Sequence, residues 1–143
     1  MVLIKDEGSQ FDAPIETVWA YLNAEQHGET HRSTRNQEMK PISDTSFELS
    51  MEQNMNGQWV KVKNRITTLA PLGMTIEILE GPMAGSKMMN VYTPKGNTTG
   101  IDVYGDFSSS ALPPAQLEPA VRGFLQQMFD EDSVAIKELA SKK

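Results

Sequence analysis

Two histidines stand four residues apart in the stretch EQHGETHRSTR at residues 25–35: His27 and His31, the only two in the chain. On a helix, i and i+4 share one face, so both imidazoles would be close enough to bind one metal ion. Two histidines seldom hold a metal tightly, and a carboxylate is the usual third donor of a two-histidine, one-carboxylate set. Without a metal, histidine beside aspartate is an acid–base pair. The plainest alternative is a solvated polar helix. Glu25 and Glu29, also four residues apart, repel each other mildly, and a nearby cation would relieve that repulsion.

The best carboxylate is Asp132, in the stretch FDEDSVAIKEL. At about 100° per residue it falls within the apolar helical stripe of Val121, Leu125, Met128 and Leu139. A carboxylate on that face points inward and needs a partner, because an unpaired buried charge is costly. Arg32, Arg35, Arg65, either histidine or a cation would serve; the alternatives are solvation or an arginine pair at a cavity mouth, and a polar anchor for a ligand. The cofactor this set would take is zinc or iron, at His27, His31 and Asp132. These three residues are also the catalytic candidates.

The elements that must position these residues follow from periodicity. MVLIKDEGSQF reads as a strand, with Gly8 as the expected site of a bulge. Asp12 is the expected cap of a first helix opened by Ala13 and Pro14, with Ile15, Val18, Trp19 and Leu22 on its apolar face. EQHGETHRSTR is a second short helix, weakened by Gly28. From about residue 37 the apolar period becomes two. Phe47, Leu49 and Met51 alternate with polar neighbours; Val60, Val62 and Ile66 do so beyond the Asn56-Gly57 hairpin signal. Met74, Ile76 and Ile78 form the next strand, then Met88 to Tyr92, then Gly100 to Phe107, the short turns implying an antiparallel meander. The last segment is a long amphipathic helix from Pro119 to Ser141, with Pro119 tolerated only in its first turn.

One sheet of six or seven strands must bury its apolar face, and only the final helix is long enough to cover it. The expected fold class is α+β: a curved antiparallel sheet wrapped around a long C-terminal helix, as one domain over residues 1–143. A ligand cavity is expected between them. Its walls would be Phe47, Leu49, Met51, Val62, Asn64 and Ile76, with Met89 and Tyr104 on later strands. Val121, Phe124, Leu125 and Met128 would close it from the helix.

The totals set bounds. A net charge of −6 among 143 residues argues against phosphate-backbone binding, so no nucleic-acid partner is expected. The absence of cysteine excludes disulfides, thiolate zinc sites and cysteine-ligated iron–sulfur clusters. No apolar run reaches the roughly 20 residues of a membrane span, so a cytoplasmic protein is the expectation. No nucleophile elbow, phosphate loop or dinucleotide fingerprint occurs.

Ala13-Pro14, Val18-Trp19 and Leu22 within FDAPIETVWAYL, together with the acidic pair in FDEDSVAIKEL, resemble the START/Bet v 1-like superfamily, also called SRPBCC. The likeness is to its polyketide cyclase-like branch and runs the length of the chain. It implies a helix-grip fold with an internal pocket for a small hydrophobic ligand such as a lipid, polyketide or aromatic; some members are enzymes and many are carriers. His27, His31 and Asp132 also resemble the iron site of the catalytic domains of Rieske-type ring-hydroxylating oxygenases, which share this fold. Here the histidine spacing is shorter than is usual in that family. The expected function is therefore hydrophobic-ligand binding, with a cyclase or dehydratase using His/Asp acid–base chemistry, or a metal-dependent enzyme, as the alternative. A third reading is a partner-binding module using the outer face of the sheet.

Overall fold

The computed structural model describes residues 1–24 and 27–142, and the side chains of residues 28 and 29 lie outside that description. The chain begins with strand β1 (Val2–Phe11), helix α1 (Ile15–Leu22) and the single turn α2 (His27–Thr30). Strands β2 (Thr34–Pro41), β3 (Ser46–Met55) and β4 (Gln58–Leu69) follow, then β5 (Gly73–Glu80), β6 (Lys87–Lys95) and β7 (Thr98–Phe107). Helix α3 (Pro114–Ser141) ends the fold. All neighbouring strands are antiparallel in one seven-stranded sheet of order β1-β7-β6-β5-β4-β3-β2.

Local chemistry explains the elements. Asn56 and Gly57 both take positive φ, 53° and 85°, the conformation a two-residue hairpin turn between β3 and β4 demands. The β1 register slips between Asp6 and Ser9, where Gly8 has φ 91° and donates its N–H to Asp102 Oδ1. Asp12 does not cap α1. The helix starts after Pro14, whose carbonyl accepts the Thr17 and Val18 N–H groups, with no side-chain cap. Helix α3 begins at Pro114, so Pro119 lies in its second turn rather than its first. Pro119 and Ala115 are both exposed there, so water can satisfy the carbonyl that proline leaves without a donor.

Because β1 pairs with β7, the two short helices carry the chain from one sheet edge to the other, where β2 begins. Helix α3 covers only part of the inner face. Its first half packs Leu117, Val121 and Leu125 on Ile4, Val103 and Phe107. Its second half brings Ile136 against Val18, Trp19, Tyr21 and Tyr92. One transverse row shows where that cover ends: Ile4, Gly105, Met88, Ile76, Ile66 and Phe47 pair in register across six strands. Ile4 is fully buried beneath α3, whereas Met88, Ile76, Ile66 and Phe47 are only partly buried. The inner face of β3–β5 is thus an apolar surface beyond the helix.

Candidate functional site

His27 sits at the start of α2 and His31 just after it, while Asp132 projects from the middle of α3. The α2 turn packs on both β2 and α3, which closes the distance between segments a hundred residues apart. His27 Nε2, His31 Nε2 and Asp132 Oδ1 form a triangle with sides of 3.3, 3.2 and 3.3 Å. Two donor atoms about 2.0–2.1 Å from a tetrahedral ion stand about 3.3 Å apart, so the triangle matches one face of such a coordination shell. Borderline nitrogen and hard oxygen donors suit zinc, iron and their first-row neighbours. The residues therefore fit the metal that their spacing suggested.

Two further side chains complete the cluster. Tyr21, on the buried face of α1, donates its hydroxyl to Asp132 Oδ1 over 2.6 Å. Glu131 receives His31 Nδ1–H at 2.9 Å on Oε1 and the Arg32 backbone N–H at 3.3 Å on Oε2. His31 is thereby held between two consecutive carboxylates of α3, one on each ring nitrogen.

The electrostatics follow from this confinement. Burial alone would lower the His31 pKa, but Asp132 and Glu131 outweigh it and the value is raised. Burial would raise Asp132, yet hydrogen bonds from His27 and His31 carry its carboxyl well below the usual range. Glu131 is likewise lowered, with burial opposing and the bonds from His31 and Arg32 prevailing. Without a metal, the two carboxylates make His31 hold its second proton more firmly than a free imidazole would. If His31 loses its Nε2 proton, a lone pair faces Asp132 Oδ1, and a cation can replace that proton.

None of the arginines weighed as partners reaches Asp132 among the described contacts. Arg32 goes to Glu131, Arg65 pairs with Glu48, and Arg35 pairs with Glu52 while lying over the Trp59 ring. Glu25 lies outside the described residues, as does the side chain of Glu29, so their mutual repulsion is not addressed. Tyr21 and Glu131 escaped the sequence reading. The only signal for Glu131 was its place in the acidic run beside Asp132.

The ligand-facing residues divide between two faces. Phe47, Leu49, Met51, Val62, Asn64 and Ile76 share the inner face; on α3, Met128 is half-buried, and Phe124, also half-buried, packs against the cluster of Ile4, Val103 and Phe107. Val121 and Leu125 are buried in the packed half instead. Asn64 Oδ1 is buried there without a hydrogen-bond partner. Met89 and Tyr104 are corrected. They fall in the row Thr67, Thr75, Met89, Tyr104, Lys5, one residue out of phase with the inner row, and so project from the outer face. Tyr104 donates to Glu7 at 2.9 Å, and with Leu3 and Met89 it lines an outer depression of about 370 Å³.

No family model matches the chain, and no curated relative matches it. Solved structures do. A START superfamily protein from Mycobacterium smegmatis is 11% identical, with a TM-score of 0.83 over 96% of this chain and 98% of that one. The chain has the START/Bet v 1 helix-grip fold. The Zhui aromatase/cyclase from Streptomyces sp. R1128 is 13% identical, with a TM-score of 0.76 over 99% of this chain and 95% of its own. Norcoclaurine synthase from Thalictrum flavum, in complex with dopamine and hydroxybenzaldehyde, is 15% identical, with a TM-score of 0.68 over 96% and 87% of the two chains. At these identities the likeness is one of fold. Among the described residues, no helix is long and apolar enough to cross a membrane.

Proposed function

We propose that this helix-grip protein takes a small, largely apolar molecule against the inner face of β3–β5 and carries a divalent transition-metal site, of the zinc or iron class, at His27, His31 and Asp132. The observation that carries the proposal is the triangle of donor atoms, with sides of 3.2–3.3 Å. A bound ion would supply Lewis acidity and, if iron, redox chemistry. The protein's own groups have separate tasks. His27 and His31 offer Nε2 lone pairs, Asp132 offers one carboxylate oxygen, and Tyr21 holds that oxygen in place. Phe47, Leu49, Met51 and Ile76 offer apolar contact, and Phe124 and Met128 would add to it from α3, one to two turns before Asp132. Affinity would come from those contacts and orientation from the polar cluster. The enzymes among the structurally similar proteins, the Zhui aromatase/cyclase and norcoclaurine synthase, support a reading in which the bound molecule is also transformed.

The test is elemental analysis of protein purified without a histidine tag, followed by addition of zinc or iron(II) under anaerobic conditions. Near one equivalent of metal, or a rise in melting temperature with added metal, is the expected result. Less than about a tenth of an equivalent with no thermal shift rejects the metal site. The ion pair of His31 and Asp132 favours a second reading, acid–base chemistry on the same ligand without metal. Under it, turnover persists in a chelator. Native mass spectrometry of the purified protein for a co-purifying lipid or aromatic tests the ligand half independently of both.

A further inference from the structure

We infer that Glu131 is a positioning residue of this centre, and that it must be a carboxylate because it fixes the proton of His31 on Nδ1 and so leaves Nε2 free for metal. The inference rests on the metal reading above. It comes from what surrounds the two oxygens of Glu131. Oε2 faces the Arg32 backbone N–H at 3.3 Å and the Arg32 Nε at 3.5 Å. Both of those groups can only donate. Oε1 faces His31 Nδ1 at 2.9 Å. The Gln127 side chain also reaches Glu131, but it is an exposed amide that can turn either way. A carboxylate accepts from all of them. With the proton of His31 committed to Oε1, its other nitrogen is left facing His27 Nε2 and Asp132 Oδ1.

An amide at this position cannot do the same. In Glu131→Gln the carbonyl oxygen stays with the Arg32 backbone N–H, a donor that cannot turn away, as the 90% exposed Arg32 side chain can, so the NH₂ group turns toward Nδ1. Nδ1 must then accept, and the ring proton moves to Nε2, into the position the metal needs. Glu131→Ala, by contrast, leaves Nδ1 to water and either tautomer open. The two variants therefore separate positioning from packing. If Glu131 merely fills space between α3 and the α2 turn, the near-isosteric glutamine is the milder change and alanine the harsher.

The experiment titrates wild type, Glu131→Gln and Glu131→Ala with zinc(II) against a chromophoric chelator. The expected order of affinity is wild type, then alanine, then glutamine, with glutamine about 10–100-fold below wild type. Imidazole ¹⁵N shifts of metal-free Glu131→Gln at alkaline pH should place the His31 proton on Nε2. Glutamine binding as tightly as alanine or better, or a proton on Nδ1 in the glutamine variant, overturns the inference and leaves the metal site standing. Wild type that takes no zinc overturns the metal reading itself, whatever the variants do.

Discussion

The Tyr21 hydroxyl donates to Asp132 Oδ1 over 2.6 Å, joining α1 to α3 across 111 residues of sequence. The oxygen it holds is the one that faces both histidine Nε2 atoms. Burial first, and then the carboxylate itself, raises the pKa of the phenol, so it remains a donor throughout the physiological range. This bond ties together a helix pair already packed through Ile136 and aims the carboxylate of the cluster. It also explains why an ionised group survives in the apolar stripe of α3: Asp132 lies between a hydroxyl and two imidazoles, and its charge is compensated while His31 is protonated.

Removing that donor should cost stability. A hydrogen bond to a charged acceptor contributes about 1.5–3 kcal/mol. Tyr21→Phe keeps the ring, which packs in the core with Val18, Trp19 and Ile136. Urea unfolding of the variant should show a loss within that range at an unchanged m-value. An unaltered midpoint would mean that water replaces the hydroxyl without cost.

The same cluster sets a pH dependence for the metal-free protein. His31 has a folded pKa raised above its unfolded value of 6.5. Its contribution is full below about 6.5 and is lost as pH rises through the folded pKa. Asp132 has a folded pKa depressed below its usual 3.8. Its contribution is full above that value and is lost as pH falls toward the folded one. Stability measured by denaturant should therefore be highest between roughly pH 4 and 6.5 and decline above it. The alkaline decline should vanish in His31→Asn. If it persists there, another group is responsible.

Most of this architecture could be read from periodicity, and the exceptions have physical causes. Phe47, Leu49 and Met51 alternate cleanly because β3 has one wet and one apolar face. Asp132 fell on the right side of α3 because helical phase depends only on spacing. Strand β6 gave no such guidance: Met88 and Met89 are adjacent and equally apolar, and only pairing with Gly105 and Tyr104 shows which one faces inward. The edge strand β2 reads TRNQEMKP, without alternation, because its residues are mostly exposed. Tyr21 is not among the positions Ile15, Val18, Trp19 and Leu22 that mark the apolar face of α1, and nothing local to it hints at a partner 111 positions away. Glu131 stayed hidden because consecutive helix residues point about 100° apart, so two neighbours on one face are not expected. Both are in fact used, because His31 lies between them and offers a nitrogen to each.

Truncating the donors should grade the metal site. Asp132→Ala removes an oxygen donor and exposes two imidazoles to each other; His27→Ala removes a nitrogen from the more open side, where His27 is 29% exposed and His31 8%. Zinc affinity by chelator competition should fall at least about tenfold in each, equivalent to about 1.4 kcal/mol. Circular dichroism should show both folded. Equal binding by wild type and both variants would place any bound zinc elsewhere on the protein.

The two faces of the sheet make the last prediction. Leu49 lies on the inner face beside Asn64, partly buried, whereas Met89 is 44% exposed on the outer face. A tryptophan at either position adds bulk to one face and leaves the other untouched, because successive side chains of a strand point to opposite sides. If the ligand surface is the inner one, Leu49→Trp should weaken binding of an apolar fluorescent probe such as anilinonaphthalene sulfonate at least about tenfold, while Met89→Trp leaves it unchanged. Zinc affinity should be unaltered in both, since neither residue touches His27, His31 or Asp132. The reverse pattern, loss in Met89→Trp alone, would assign the apolar binding to the depression beside Leu3 and Tyr104. The sheet's outer face would then be the one that meets the ligand or partner.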